Sequence, residues 1–240
     1  MAAGVLALFL VSGRADAGRR HQIIPFSEAE LFLELNATDG DLGLHLKADG
    51  DGWKRLILTD ARFHRLLDVR VKGNLGREIG LTELFSESAE PSFDEVPKDE
   101  FLALFRPGFY FFFAKTLEGP WMVGTTILTH ALPGEVELVS PEEDGEVDSE
   151  EDLVVEWESL DDPDSAGSGL EFYEVVVEKD EDDERLRVFR VDMLPSDTSI
   201  RVPAEFLEEG KDYKVEIVAQ ETSGNRTSIE VPFETEEGDE

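Results

Sequence analysis

Aspartates cluster in two turn-like segments near the start of the chain, where their carboxylates could bind a metal ion. Asp39 and Asp41 belong to the first segment, and Asp49 and Asp51 belong to the second. Calcium prefers oxygen ligands from loops of this kind. However, the spacing is not that of an EF-hand, and the strand predicted between them, residues 42–47, would hold the segments about 20 Å apart. Turn formation explains the aspartates without an ion, so the sequence predicts no cofactor and leaves calcium as an alternative.

A run of five aromatic residues, 109–113, places rings on both sides of any strand that contains it. A central strand that is buried on both faces explains such a run. The alternative is a sheet with one open face, used as a platform for sugars or as a contact with a second domain. The predicted binding face of that alternative consists of Trp53, Tyr110, Phe112 and Trp121.

The sequence has none of the short motifs that mark zinc hydrolases, phosphate-binding loops, serine hydrolases or dinucleotide-binding sites. The histidines are too scattered to indicate a metal site; they are His21, His45, His64 and His130. Carboxylates are abundant, but the acidic composition alone accounts for them. We therefore predict no catalytic and no cofactor-binding residues, and we interpret the protein as a non-enzyme.

The net charge of -34 comes from 56 acidic and 22 basic residues, which are distributed unevenly. Residues 134–240 contain 37 acidic and 8 basic side chains, whereas residues 1–133 contain 19 and 14. Such a chain repels phosphate backbones and anionic membrane surfaces, so nucleic-acid binding is excluded. The absence of cysteine excludes disulfides and thiolate chemistry. The step in charge predicts a domain boundary near Pro133 and Gly134.

The first residues of the chain predict a signal peptide over residues 1–17. Residues 1–10 are apolar but too few to span a bilayer, and Ala15 and Ala17 form an A-x-A cleavage pattern. Signal peptides usually have lysine or arginine before the apolar run, and this sequence has neither there. The alternative to a signal peptide is an ordinary buried strand. No later stretch is long enough for a transmembrane helix. The predicted location is therefore secreted, periplasmic or at the cell surface.

Apolar residues alternate with polar ones through most of residues 26–132, which predicts an antiparallel, jelly-roll-like β-sandwich. A short helix is predicted after Pro97, with Phe101, Leu104 and Phe105 on one face. Residues 75–93 lack a regular pattern and are predicted to be mainly loop. The predicted strands are 31–35, 42–47, 53–58, 66–71, 109–114 and 121–128, with turns at 36–40, 49–52 and 117–120.

Residues 134–236 predict a second antiparallel sandwich, because seven short alternating segments are separated by turn-rich and acidic loops. Residues 237–240 would form an acidic tail. The predicted strands are 135–140, 153–157, 173–177, 186–191, 200–202, 211–219 and 229–233, and the loops are 141–152, 161–169 and 180–184. The fold class is therefore all-β, with two sandwich domains.

The second domain resembles a fibronectin type III domain. The resemblance rests on Trp157 at the end of the second strand, Tyr173 in the third, and the Leu207-x-x-Gly210-x-x-Tyr213 corner. It implies an immunoglobulin-like sandwich in which the tryptophan fills the space between the sheets. It also implies that the tyrosine hydroxyl bonds to the backbone upstream. An Arg-Gly-Asp sequence is missing, so integrin-type adhesion has no support.

The first domain resembles a domain of uncharacterised bacterial exported proteins, which is often followed by a fibronectin-like module. The resemblance covers residues 29–133 and is carried by residues 105–133, which include Pro107-Gly108-x-Tyr110 and a final Leu128-Thr129-His130. It implies no known activity.

These observations predict an exported, non-catalytic binding or structural module of the cell envelope or extracellular space. Its partner would be a protein or a glycan. The alternative is a carbohydrate-binding accessory protein that uses the aromatic residues of the N-terminal domain.

Overall fold

The computed structural model describes residues 22–160, 169–179 and 188–237. The predicted signal peptide, most of the loop at 161–169, the loop at 180–184 and the end of the acidic tail lie outside the described residues. The remaining chain is built almost entirely of β-strands, so the all-β prediction is confirmed.

The strands of the described residues fall into two groups, seven before residue 130 and eight after it. The first group is β1 (Ile23–Pro25), β2 (Glu28–Asn36), β3 (Asp41–Asp60), β4 (Arg65–Arg70), β5 (Leu81–Glu87), β6 (Gly108–Thr116) and β7 (Trp121–Leu128). The second is β8 (Leu138–Ser140), β9 (Gly145–Val147), β10 (Leu153–Trp157), β11 (Leu170–Lys179), β12 (Val188–Met193), β13 (Ser199–Val202), β14 (Asp212–Glu221) and β15 (Arg226–Thr235). The helical elements are a π-helical turn (Leu75–Ile79), helix α1 (Lys98–Leu104) and a 3-10 turn (Ala204–Phe206).

The long strand β3 organises the N-terminal half by pairing with different neighbours along its length. Its first part pairs with β2 and β5, and its second part pairs with β6 and β4. The predicted turn at residues 49–52 is therefore wrong, because these residues lie inside the strand, where the register shifts. Two glycines permit close approach at this bend: a Cβ on Gly50 would lie 2.8 Å from the Met122 sulfur, and one on Gly52 would lie 2.9 Å from the Ile79 carbonyl oxygen.

The hairpin of β6 and β7 forms as the sequence predicts, and its register joins Gly108 to Leu128 at one end and Lys115 to Trp121 at the other. Strand β1 adds to the outer edge of β7 in a parallel orientation. Helix α1 begins after Pro97 as predicted and buries Phe101, but Leu104 is 70% exposed and does not share the buried face.

The prediction that residues 75–93 are mainly loop is wrong. They contain the π-helical turn and strand β5, which pairs with β3. Leu84 is only partly buried in this strand and Phe85 is 54% exposed, so β5 contributes little to the core. A strand that buries so few apolar residues leaves no clear alternating pattern in the sequence.

The C-terminal half consists of two facing layers. A three-stranded sheet has the order β13-β10-β8, and β12-β11-β14-β15 forms the other layer. Strand β9, which falls in the predicted acidic loop 141–152, pairs in parallel with β15 and was missed by the sequence pattern. Apolar residues between the layers form a core separate from that of the N-terminal half; its largest buried side chains are Trp157, Tyr173, Tyr213 and Phe233.

Candidate functional site

The aspartates considered as calcium ligands lie at opposite ends of the β2–β3 ladder. Asp41 pairs with Asn36 at one end, and Asp49 pairs with Glu28 at the other. Asp51 lies beyond Asp49 on β3 and is exposed. The two pairs therefore cannot share an ion. Within residues 22–160, 169–179 and 188–237, no group of three or more histidine, aspartate or glutamate side chains is arranged to hold a metal ion.

The polar side chains of the first aspartate segment form the hydrogen bonds of a turn. The side-chain oxygen of Asn36 accepts hydrogen bonds from the backbone N–H groups of Thr38 and Asp39, at 3.0 and 3.1 Å. The Asn36 side-chain amide donates to the Asp39 carboxylate at 3.1 Å. Burial, followed by the negative charges of Asp39 and Glu230, raises the pKa of Asp41 above its ordinary value.

The predicted aromatic binding face is wrong, because three of its four residues point into the core. Trp53, Tyr110 and Phe112 are buried, and the Tyr110 hydroxyl donates a hydrogen bond to the Arg106 carbonyl at 2.9 Å. Only Trp121 is partly exposed. The even-numbered residues of β6 face the core, so they cannot form a platform in solvent.

The odd-numbered phenylalanines of β6 form an open face on the other side of the sheet. Phe109 is 55% exposed, and it pairs across the ladder with Ile127 of β7, which is 52% exposed. Phe111 and Phe113 follow on the same side, with ring centroids 6.4 Å apart. One side of the aromatic run is therefore open, as the alternative prediction required, but it carries different residues.

A fourth ring extends this surface from the turn between β3 and β4. Phe63 is 68% exposed and stacks on Phe111, with ring centroids 5.8 Å apart and planes 14° apart. Its φ of 61° is uncommon for a phenylalanine and costs on the order of 1 kcal/mol. The Asp60 carboxylate fixes the turn by accepting the N–H groups of Arg62 and His64, both at 2.8 Å. We call Phe63, Phe109, Phe111, Phe113 and Ile127 the outer phenylalanine face.

Positive charge borders the outer phenylalanine face, and we call Arg55, Arg65, Arg70 and Lys115 the cationic cluster. Arg55 donates two hydrogen bonds to the Asp68 carboxylate, at 2.8 and 2.6 Å, and Arg65 donates a third at 3.1 Å. Hydrogen bonds from Arg55 lower the pKa of Asp68 to about 2. Three guanidinium groups thus surround one carboxylate, which leaves the cluster positively charged.

The two halves of the chain are joined by hydrogen bonds between β15 and β2, which run parallel. This pairing merges the larger sheet of each half into one sheet of twelve strands. The paired residues are Arg226 with Glu34, Thr227 with Leu35, and Ser228 with Asn36.

Asn225 connects three segments at this junction, and only 1% of it is exposed. Its side-chain oxygen accepts a hydrogen bond from the backbone N–H of Leu33 at 2.9 Å. Its side-chain amide lies 3.1 Å from the Thr129 carbonyl, 2.9 Å from the Thr129 hydroxyl and 2.6 Å from the Ala131 carbonyl. All of these partners belong to the N-terminal half or to the segment that follows β7. Asn225 itself lies in the turn between β14 and β15.

Two threonines add hydrogen bonds on either side of Asn225. Thr227 is buried, and its hydroxyl donates to the Pro133 carbonyl at 2.9 Å. The Thr38 hydroxyl donates to the Glu230 carbonyl at 3.2 Å and accepts the Glu230 N–H at 2.8 Å. The contact between the halves therefore includes backbone pairing and side-chain hydrogen bonds, of which the one from the Leu33 N–H to Asn225 is buried.

The ring of Phe32 in β2 adds a further contact between the two halves, to Arg226 of β15. It lies between the imidazole of His45, 5.1 Å away between centroids and nearly parallel, and the guanidinium of Arg226, 4.7 Å from the ring centroid. Arg226 also lies 3.7 Å from the Glu34 carboxylate. A cation over an aromatic face is stabilising, and more so when it is partly desolvated.

Glutamates gather on the sheet surface beside the junction. Burial, followed by the negative charges of Glu230 and Glu34, raises the pKa of Glu216 to about 7. Lys214 partly compensates: its ammonium group lies 3.0 Å from Glu178 and 2.9 Å from Glu230. The pattern is that of an ion-pair network with one protonated glutamate near neutral pH.

The residues that carry the resemblance of the C-terminal half lie in or beside its core. Trp157 contacts Tyr173 edge to face, at 5.5 Å between centroids, and the Tyr173 hydroxyl accepts the N–H of Leu160 at 2.9 Å. The Tyr213 hydroxyl accepts the N–H of Glu208 at 2.9 Å, five residues upstream. The corner that positions it includes Leu207, which is buried, and Gly210, with a φ of 59°.

Every helical element in the described ranges is too short and too polar to cross a membrane.

Comparisons with known proteins concern the fold alone. No family model matches the sequence, and no curated protein matches it. The chain is similar to the fibronectin(III)-like modules of Clostridium thermocellum CbhA, at 8% identity and a TM-score of 0.35, over 88% of this chain and 93% of that one. It is also similar to a two-domain fibronectin type III segment of chicken tenascin, at 15% identity and a TM-score of 0.30, over 88% and 99% of the two chains.

These overall scores are low, so the fold of the C-terminal half is assigned from its own geometry. Three strands face four, Trp157 lies between the layers, and Tyr213 bonds to the backbone at the corner before β14. The C-terminal half has a fibronectin type III-like sandwich fold.

Proposed function

We propose that the protein is an exported, non-catalytic binding and structural module in which two sandwich domains act as one rigid body. The observation that carries this proposal is the buried Asn225 side chain, which ties the C-terminal half to β2 and to the segment after β7. A flexible linker would leave the two halves free to reorient. Here a buried amide and a shared sheet oppose such motion, so any surface on one half keeps a fixed orientation relative to the other.

The proposed domains span residues 26–132 and 134–236. Two separate buried clusters support this division, one drawn from residues 26–128 and the other from residues 136–233. The step in charge near Pro133 lies between the clusters. Limited proteolysis of an Asn225→Ala variant should therefore cut first between residues 131 and 136, and cleavage within either cluster would contradict these boundaries.

Export is supported by the apolar start of the sequence and the A-x-A pattern at residues 15–17. The test is N-terminal sequencing of the protein recovered from culture medium or periplasm of a bacterial host. A mature chain that begins at Gly18 supports export. An uncleaved chain retained in the cytosol would contradict it.

The rigid arrangement can be tested by small-angle X-ray scattering of the full chain and of two variants. The wild-type profile should fit one conformation, whereas Asn225→Ala should increase the radius of gyration and require an ensemble. Asn74→Ala is the matched control, because Asn74 is an exposed amide that bonds only locally, to Arg77. If the wild-type profile itself requires an ensemble, the proposed function is wrong.

A further inference from the structure

We propose that the outer phenylalanine face binds an extended acidic polypeptide segment with apolar side chains, supplied by a partner protein. The inference rests on the proposed binding role and adds the chemistry of the partner. It follows from the exposure of the rings, the charge beside them and the size of the surface.

The rings form a contiguous apolar surface on which large side chains remain in solvent. Phe63, Phe109 and Ile127 are each more than half exposed. Single exposed apolar residues are ordinary, but a contiguous patch of this kind marks an interaction site. Phe63 in addition adopts a left-handed backbone conformation to stack on Phe111, which holds the ring in place before any partner arrives.

The register of the sheet places the cationic cluster on the same face. Arg55 pairs with Lys115 on one side and with Arg70 on the other, so these three side chains form one row across the sheet. In the next row Ile57 pairs with Phe113 on one side and with Asp68, the carboxylate that the arginines surround, on the other. Cross-strand partners share a face. Cations therefore border the apolar rows directly, and an anionic partner is complementary to them.

The size of the face favours a peptide segment over a second copy of this chain. Apart from Phe63, the residues of this face and of the cationic cluster lie on four strands, β4, β3, β6 and β7. At about 4.8 Å between strands and about seven residues of 3.3 Å on each, these strands give a surface of roughly 400 Å². A stable interface between two proteins buries about 800 Å² on each partner.

The composition of the face favours polypeptide over carbohydrate. The rows beside the rings contain Ile57, Val123, Thr125 and Ile127. Sugar hydroxyls need hydrogen-bonding partners when they leave water, and these side chains offer few. Apolar side chains of a peptide need none, and the acidic residues between them can reach the cationic cluster.

The test is isothermal titration of the full chain with three acetylated ten-residue peptides at low and moderate salt. The first alternates glutamate with phenylalanine, the second replaces glutamate by lysine, and the third replaces phenylalanine by serine. The proposal expects binding of the first peptide alone, at least tenfold tighter than either comparison, with an affinity that decreases as salt increases.

Variants locate the binding surface, and NMR spectra of each variant confirm that it is folded. Phe63→Ser should weaken binding of the first peptide at least tenfold, and the same change at Phe85, an exposed ring on β5, is the matched control. The double variant Arg65→Glu, Arg70→Glu should weaken binding tenfold at low salt and reduce its salt dependence. Arg201→Glu, on β13 of the other half, is its control. Both controls should remain within twofold of wild type.

The proposal is overturned if the first peptide does not bind, if the lysine peptide binds equally well, or if Phe63→Ser has no effect. Binding of polygalacturonate or of cello-oligosaccharides that Phe63→Ser abolishes, without peptide binding, would assign the face to a glycan instead. A dimer in sedimentation velocity that Phe63→Ser dissociates would assign it to a second copy. None of these results alters the scattering test of the rigid module, so the two proposals fail separately.

Discussion

The side-chain oxygen of Asn225 accepts a hydrogen bond from the backbone N–H of Leu33, at 2.9 Å and 192 residues away along the chain. The same asparagine uses its amide group on carbonyls of Thr129 and Ala131. One buried side chain thus satisfies backbone groups from β2 and from the segment that leads into the C-terminal half. The two halves therefore meet through backbone groups whose hydrogen-bond partner is a side chain of the other half.

Asn225→Ala should destabilise the protein by about 3 kcal/mol. The substitution leaves the buried Leu33 N–H and the partly buried carbonyls of Thr129 and Ala131 without their partner, and a buried group of this kind costs about 1 to 3 kcal/mol. Guanidinium unfolding followed by circular dichroism measures the change. Asn74→Ala serves as the control and should change the free energy of unfolding by less than 0.5 kcal/mol, roughly the limit for ordinary surface positions. Equal effects of the two substitutions would contradict the role assigned to Asn225.

Tyr213→Phe should destabilise the C-terminal half by about 1 kcal/mol, because the Glu208 N–H loses its bond to the hydroxyl. Tyr110→Phe is the matched substitution in the N-terminal half, where the hydroxyl donates to the Arg106 carbonyl. Hydrogen exchange should show the loss of protection confined to the half that carries each change. A uniform loss over the whole chain would mean that the halves do not open separately.

Trp53→Ala should cost about 3 to 5 kcal/mol, the usual range for emptying a fully buried aromatic site. Trp121→Ala should cost clearly less, because Trp121 is partly exposed and packs beside Lys115 at the surface. Thermal unfolding of the two variants compares these costs directly. Trp53 pairs with Thr116 of β6 and Trp121 pairs with Lys115, so the two tryptophans lie on opposite faces of the sheet. Similar losses would contradict the assignment of the face that holds Trp53 and Thr116 to the core.

Stability should decrease between pH 4.5 and about 7 because of Glu216. Burial and the nearby Glu230 and Glu34 raise its pKa from 4.5 to about 7, so the folded state holds a proton that the unfolded state has released. Unfolding then becomes easier as pH rises through this window. With allowance for screening at the partly exposed sheet surface, the contribution is on the order of 2 kcal/mol. Glu216→Gln should remove this slope, and an unchanged slope would locate the titrating group elsewhere.

Most strands of both halves could be predicted because apolar residues alternate along them. The 109–128 hairpin and the corner at Tyr213 follow from such local patterns. The buried side of β6 could not be predicted, since aromatic residues occupy both sides of residues 109–113 and alternation carries no information there. The bend in β3 was missed for a different reason: the glycines at 50 and 52 resemble a turn, although close contacts with Met122 and Ile79 explain them.

The role of Asn225 depends on tertiary contacts that no local pattern encodes. Its partners lie 94 to 192 residues away, and Ser223-Gly224-Asn225 alone is typical of a turn. The outer phenylalanine face could not be predicted for the same reason. Phe63 contacts Phe111 from a turn that precedes β6 by more than forty residues.

The claim that the two halves form one rigid body is tested most directly by measuring a distance between them in solution. The chain contains no cysteine, so cysteines introduced at Glu83 in β5 and Arg190 in β12 can carry spin labels for double electron–electron resonance. The account predicts a single narrow distance distribution in the wild-type background and a broad one after Asn225→Ala. A broad or multi-peaked distribution in the wild-type background would contradict it.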